Sequence, residues 1–289
     1  MTSSNVARPA IQSGPVEQVS DAELARYAEL IYKRTGIRVS PQKKMLLSNR
    51  IRRRLRETGI EGFSQYFKHL KALAPKDPEW DAFLQEITTH ETYLFRDESH
   101  WDWFRNSFLA EIAANTRSSG GKRALRIWSS ACSTGDEAYT TACCIAACLP
   151  NRQGWMIQIT GTDIGVGALE QARQGAFGQR AMQLVPEEYR RRFFKKANDA
   201  EVWQAKPALR EMVTFRQHNL MEPIRAEPFD LVFLKNVLIY FDAASKKQVM
   251  SNVRSAIRAG GLLLAGAAEG VSDLLKDFVR VHPWLYRKP

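Results

Sequence analysis

The stretch Ala131-Cys132-Ser133-Thr134-Gly135-Asp136-Glu137 joins a short apolar run to a helix-like pattern through small residues and two acids. A turn of this kind lets backbone amides and a helix N-terminus come close to a ligand. It has one glycine, not the G-x-G-x-x-G of a dinucleotide fingerprint, so an ordinary strand-to-helix turn explains it equally well in isolation. Asp163 follows the apolar run Met156 to Thr162, where α/β cofactor domains place an acid to accept hydrogen bonds from ribose hydroxyls. Its plainer role is to cap the helix holding Leu169 and Ala172. Asn219-Leu220 follow the run Met212 to Gln217, and Lys235-Asn236-Val237-Leu238-Ile239-Tyr240-Phe241 follow Phe229 to Leu234. Several polar strand ends converging on one crevice are harder to explain as caps.

A further segment, Thr88-Thr89-His90-Glu91-Thr92-Tyr93-Leu94-Phe95-Arg96-Asp97, mixes hydroxyl, imidazole, aromatic and guanidinium groups just before the first of these runs. Arg96 has the planar fork that pairs with a carboxylate through two hydrogen bonds. The plainer reading is a connector with core aromatics and a solvated Arg96.

Two kinds of element position these residues. Ser20 and Glu23 make a capping-box pattern opening a helix with Leu24, Tyr27, Ala28, Ile31 and Tyr32 on one face, closed by Gly36. A second helix is predicted from about Pro41 to Thr58, with Leu47, Ile51 and Leu55 as its buried stripe, then a third over Phe63–Leu73 and a fourth over about Pro78–Thr89. Past the linker Ser118–Lys122, β-rich runs alternate with helical ones: Ala124–Ser129, Met156–Thr162, Met212–Gln217, Phe229–Leu234, Gly261–Ala265 and Val279–Tyr286. That alternation implies an α/β domain with a doubly wound, parallel sheet. The expected organisation is a disordered leader over 1–18, a helical domain and connector over 19–89, and an α/β domain over 90–289. A polar insertion from Gln174 to Arg210 breaks the rhythm.

The longest apolar stretches, near Ala142–Leu149 and Gly261–Ala268, are shorter than the roughly 20 residues that span a bilayer, and no apolar run follows Arg8. A cytoplasmic protein without membrane insertion is expected. Three of the four cysteines, Cys143, Cys144 and Cys148, crowd one apolar helix-like stretch and read as small hydrophobes; no His or acid nearby completes a metal site with them. The formal charge of +11, from 42 Lys+Arg against 31 Asp+Glu, favours anionic partners. Lys43, Arg50, Arg53 and Arg54 are expected along one side of the second helix, beside its apolar stripe. Their plainer role is a solvated face that aids solubility. Nucleic acid is not the expected partner, because no nucleic-acid module is recognisable and the cations lie on one helix.

Taken in order, TTHETYLFRD at Thr88, WSSACSTGDEAY at Trp128, TDI at Thr162 and FDLVFLKNVLIYF at Phe229 resemble the chemotaxis receptor methyltransferases of the CheR type. The resemblance runs from about residue 20 nearly to the end, including AGAAE at Ala265. It implies a class I S-adenosylmethionine-dependent methyltransferase with a Rossmann-like doubly wound sheet, an all-helical N-terminal domain and a small antiparallel β unit in the insertion. It also implies methylation of glutamate side chains on the cytoplasmic helices of chemoreceptors, with S-adenosylhomocysteine as product, by a monomer. Cofactor contacts would fall on His90, Thr92, Arg96, Glu137, Asp163, Asn219, Leu220, Lys235 and Asn236. Tyr240 would lie by the substrate carboxylate, and Arg96 with Tyr240 would be the catalytic pair. An acidic receptor helix would dock on Lys43, Arg50, Arg53 and Arg54. The family usually has Asn at His90, Glu-Glu-Pro at Asp136-Glu137-Ala138 and Arg at Lys235. A nucleic-acid methyltransferase and a non-catalytic module that senses the cofactor are the alternatives.

Overall fold

The computed structural model describes residues 19–115, 123–149, 154–197 and 201–289; the expected leader and the whole Ser118–Lys122 linker lie outside these. Helix α1 (Asp21–Thr35) starts as its sequence dictates. The Ser20 hydroxyl accepts the Glu23 N–H at 3.2 Å, the Glu23 carboxylate accepts the Ser20 N–H at 2.9 Å, and Gly36 ends the helix in the left-handed region. A single 3₁₀ turn, Pro41–Lys43, leads into α2 (Lys44–Thr58), followed by α3 (Phe63–Ala72) and α4 (Pro78–Ile87). Tyr27, Ile31, Ile51, Tyr66, Leu70 and Phe83 are fully buried between them. At about 1.5–3 kcal/mol per buried large side chain, this core gives the helical domain its own hydrophobic drive.

A helix that the apolar periodicity did not reveal follows: α5 (Glu98–Trp103) runs through one π turn, Phe104–Phe108, into α6 (Leu109–Asn115). Its aromatics Trp101, Phe104 and Phe108 pack on the sheet. The α/β domain then alternates: β1 (Arg123–Ser129), α7 (Asp136–Cys148), β2 (Trp155–Asp163), α8 (Val166–Gln174). The insertion supplies β3 (Ala176–Gly178), α9 (Glu187–Phe193), β4 (Phe194–Lys196), β5 (Val202–Ala205) and the one-turn α10 (Pro207–Arg210). The remaining elements are β6 (Val213–Gln217), β7 (Phe229–Leu234), α11 (Ala243–Ala256), β8 (Ile257–Ala265), β9 (Val279–His282) and β10 (Leu285–Arg287).

The main sheet runs β6-β2-β1-β7-β8-β10-β9. Its first five strands are parallel, and β10 and β9 are antiparallel to them and to each other respectively. The expected single strand over Val279–Tyr286 is therefore two, because Pro283, which has no N–H for a ladder, and Trp284 form a turn between them. The insertion closes a separate three-stranded antiparallel sheet, β3-β5-β4. The strand order reverses at β1, between β2 and β7, where an open α/β sheet forms its crevice beyond the carboxyl ends of the strands. The helical domain covers that crevice. Gln85 of α4 accepts the Ala168 N–H at 3.1 Å, and Asn219 donates to the Arg34 carbonyl at 3.0 Å. The Arg38 N–H donates to the Tyr240 carbonyl at 2.9 Å, and Ile37 forms a β-bridge with Phe241.

Candidate active site

One cavity opens beyond the ends of β1, β2, β6 and β7, and the connector after α4 forms its near wall. His90, Thr92, Arg96, Glu137, Asp163, Asn219, Leu220, Lys235, Asn236 and Tyr240 all line it. Lys43 and Arg50 reach it from the helical domain. Arg53 and Arg54 do not.

The β1–α7 turn is clamped from two sides. The Ser130 N–H and hydroxyl both donate to the Phe233 carbonyl, at 3.1 and 2.6 Å, and the Cys132 N–H donates to the Thr162 carbonyl at 2.8 Å. Trp128 donates its indole N–H to the Thr162 hydroxyl at 2.9 Å. Gly161 leaves the space this clamp needs, since a Cβ there would lie 2.6 Å from the Phe215 ring. The backbone is forced as well as fixed: the four non-glycine residues with positive φ among the described residues are Phe95 (59°), Asp97 (65°), Ser133 (50°) and Asn236 (56°), all in loops around the cavity. Such conformations cost about 1–3 kcal/mol each and collect where a site over-determines its loops.

Asp163 accepts the Ser133 N–H at 2.8 Å on one oxygen and the Gly165 N–H at 2.9 Å on the other, joining the first two strand-end loops. Each oxygen retains lone pairs toward the cavity. The His90 Nε2 lies 2.6 Å from the Thr88 hydroxyl, which donates to the Leu84 carbonyl at 2.7 Å. The network thus assigns the ring proton to Nε2 and leaves Nδ1, 3.9 Å from Asp163, as an acceptor. Burial holds the His90 imidazole below its ordinary value, which keeps it neutral near pH 7. Two further buried polar atoms of cavity-lining residues, Ser133 Oγ and His218 Nε2, have no hydrogen-bond partner. His218 precedes Asn219 and was not singled out by its sequence.

Lys235 is buried between two carboxylates, 2.9 Å from Asp97 Oδ2 and 3.7 Å from Glu137 Oε2. Glu137 also accepts the Ser129 hydroxyl at 2.7 Å. Burial pushes the Glu137 carboxyl up against the opposing pull of Lys235. Burial acts the same way on Asp97, but there the Lys235 ammonium prevails and holds the carboxyl below its ordinary value. Lys235 thus joins the buried Glu137 to the exposed Asp97 in one ion triad, and Asp97 is a partner that local sequence does not disclose. Arg96 lies with its guanidinium 5.5 Å from the Tyr93 ring centroid and donates weakly to the Glu91 carbonyl at 3.5 Å. Asn219 spends its amide on structure, donating to Arg34 and accepting the Met221 N–H at 3.0 Å. Lys43 sits 5.4 Å from the Tyr240 ring centroid.

The expected basic face of α2 is corrected in part. Arg54 is buried and turned inward, pairing with Glu79, Glu57 and, through Glu79, Tyr66. Arg53 pairs with Glu86 at 2.7 Å. Position 54 lies three after Ile51 and seven after Leu47, on the same helical face as the stripe, so helical spacing carried the signal. Arg50 spends its guanidinium on the Ile87 carbonyl and on the Thr89 hydroxyl at 3.1 Å. Replacing Arg54 with Ala is expected to destabilise the protein by about 3 kcal/mol, because Glu79 stays buried without its cation. Arg53→Ala is expected to change stability by about 0.5 kcal/mol or less. Denaturant melts of both variants check the contrast.

Asp136 opens α7 with one oxygen accepting the Thr134 hydroxyl at 2.6 Å and the other unpartnered. Burial lifts its carboxyl to about 6, from an ordinary 3.8. Below about pH 4 both folded and unfolded states hold the proton; between that value and 6 only the folded state does. Stability therefore falls as pH rises through this window. Asp136→Asn is expected to remove that part of the slope and to gain up to about 3 kcal/mol over the parent above pH 6. Urea melts of both proteins at several pH values provide the difference curve.

An open sheet whose strand-end loops line one crevice, with a helical cover, is the Rossmann-like framework of a class I S-adenosylmethionine-dependent methyltransferase. Comparison with known proteins narrows the class. The family model described as "CheR methyltransferase, SAM binding domain" matches residues 90–283, and "CheR methyltransferase, all-alpha domain" matches 22–88. The chain belongs to the CheR methyltransferase family, and S-adenosylmethionine is its cofactor. A chemotaxis protein methyltransferase of Klebsiella aerogenes is 34% identical over 264 residues, covering 90% of this chain and 87% of that one. One from Salmonella typhimurium is 33% identical over 265 residues (90% and 88%), and one from Borreliella burgdorferi 29% over 274 (93% and 95%). Among the described residues no helix is long and apolar enough to cross a membrane.

Proposed function

We propose that this chain is a protein-glutamate O-methyltransferase acting in the cytoplasm on the cytoplasmic helices of chemoreceptors. The observation that carries the proposal is the composition of the cavity lining, where Lys43 and Arg50 from the helical domain join Tyr240 from the turn after β7. Cations in the lining suit a carboxylate-bearing substrate, and the relatives named chemotaxis protein methyltransferases supply its class.

The residues suit the cofactor. Asp163 and His90 Nδ1 offer acceptors for ribose hydroxyls, and Ser133 Oγ and His218 Nε2 are buried atoms still in need of partners. Thr92, Asn219, Leu220 and Asn236 complete the walls, and Arg96 takes the cofactor's carboxylate. S-adenosylmethionine supplies a methyl group on a sulfonium that leaves as the neutral thioether of S-adenosylhomocysteine. A glutamate side chain is ionised at neutral pH, so no residue must remove a proton from it. The work of the protein is to orient the attacking oxygen and keep water out. Tyr240 orients the carboxylate through its hydroxyl, and Lys43, with the positive charge of the structurally held Arg50, attracts it to the cavity.

Mass spectrometry of a chemoreceptor cytoplasmic fragment incubated with the protein and S-adenosylmethionine tests the reading. Methyl increments on glutamate are expected, and they should fall at least about tenfold with Tyr240→Phe if its hydroxyl orients the substrate in the transition state. An unmodified fragment in the presence of bound cofactor would refute it.

A further inference from the structure

Glu269 lies outside the cavity, at the end of the 3₁₀ turn Ala267–Glu269 that follows β8, and its side chain is completely buried. A buried carboxylate needs donors, and here they come from the backbone of the cavity wall. Glu269 Oε2 accepts the Leu238 N–H at 2.6 Å, while Oε1 is buried without a partner. Burial pushes the carboxyl above its ordinary value, and the backbone N–H groups of Leu238, Asn236 and Val237 pull the other way. Gly266 permits the approach, since a Cβ there would sit 3.0 Å from Glu269 Oε1. The residue is pinned from behind: Lys246 of α11 donates to the Glu269 carbonyl at 2.6 Å, and the Glu269 N–H donates to the Gly266 carbonyl at 3.1 Å.

The segment it holds is the one that needs holding. Asn236 sits in the left-handed region, and Leu238–Tyr240 is a single 3₁₀ turn whose own bonds are Tyr240 N–H to the Val237 carbonyl at 3.1 Å and Phe241 N–H to the Leu238 carbonyl at 3.0 Å. No side chain of that turn caps its first amides. The acceptor for the Leu238 amide comes instead from Glu269, 31 residues further along the chain.

We propose that Glu269 is a positioning residue for methyl transfer: its buried carboxyl binds the Leu238 amide at the start of the turn and thereby fixes where Tyr240 points. The inference rests on the function proposed above for Tyr240, and part of its test is independent of that function. An ionised carboxylate would bind that amide about twice as strongly as a neutral acceptor. Glu269→Gln keeps the shape and one acceptor oxygen while removing the charge, so it folds where Glu269→Ala fails.

Amide hydrogen exchange reads the positioning without any substrate. Glu269→Gln should speed exchange at Leu238 at least tenfold, with exchange in the cores of β1 and β7 unchanged. Methyl transfer reads its consequence. With wild-type activity established on a receptor fragment, Glu269→Gln should lower kcat about tenfold with KM for the fragment within twofold, and in a Tyr240→Phe background the same change should alter kcat less than twofold. Unchanged Leu238 exchange, or an equal loss of kcat in both backgrounds, would overturn the proposal. A wild-type protein that binds cofactor and transfers nothing would defeat the glutamate methylation reading, and the exchange result would still decide whether Glu269 holds the loop.

Discussion

Lys235→Met should cost the protein about 3–5 kcal/mol of stability, the largest loss expected from any single cavity residue. Lys235 has 4% of its side chain exposed and stands between Asp97 and Glu137, of which Glu137 is 16% and Asp97 41% exposed. Methionine fills much of the same space, so lost packing contributes little. The cost comes from Glu137, which burial already pushes up and which would keep only the Ser129 hydroxyl as a partner. Without Lys235 its carboxyl would rise further and take a proton, so the deficit relative to the parent should shrink as pH falls. Asp97 can turn to water, which places the expected value near the lower end of that range. Lys235→Arg should recover most of the loss, because a guanidinium can reach both acids and is what the family commonly carries there. Urea melts of the two variants at neutral and mildly acidic pH provide the measurement; a Lys235→Met protein within about 1 kcal/mol of the parent would show that the triad contributes little.

Asp163→Ala should lower affinity for S-adenosylmethionine at least about a hundredfold, near 3 kcal/mol. The carboxylate serves two sets of partners. It binds the Ser133 and Gly165 amides of two strand-end loops, and its remaining lone pairs face the cavity. Alanine leaves both amides unsatisfied and removes the acceptors proposed for the ribose, so the loops loosen as the ligand loses its bonds. Asp163→Asn keeps one carbonyl oxygen and should fall between the two. Titration calorimetry with S-adenosylmethionine and S-adenosylhomocysteine would separate them, and an alanine variant binding within threefold of the parent would remove Asp163 from the site.

Much of this arrangement could be read in the chain. Asp163, Asn219, Lys235 and Tyr240 follow β-rich runs, and in an open parallel sheet strand ends share one crevice, so their meeting was an expectation of topology. The capping box at Ser20 and the glycine stop at Gly36 are local signals that fold as written. Pairings between distant residues were not legible. Asp97 stood in a motif singled out for other residues, and nothing near it indicates that Lys235, far along the chain, would become its partner. Glu269 is likewise local to a small-residue turn, and only the fold brings it to Leu238. The helix from Glu98 was missed because its aromatics cluster instead of alternating with polar residues, and a π turn breaks the usual spacing. Arg54 is a different case: its position in the Leu47 stripe was plain, and its charge drew attention away from it. Its withdrawal, with the pairing of Arg53, leaves Lys43 and Arg50 as the cations of that set at the cavity.

The central claim is the chemical identity of the methyl acceptor. Receptor-bearing membranes incubated with the protein and methyl-labelled S-adenosylmethionine can be treated with alkali, which hydrolyses carboxyl methyl esters to volatile methanol and leaves N-methyl groups in place. Label in the receptor band that is released as methanol, and that maps to glutamate, is the expected result. Alkali-stable label, or label recovered in nucleic acid with none on receptors, would contradict the account.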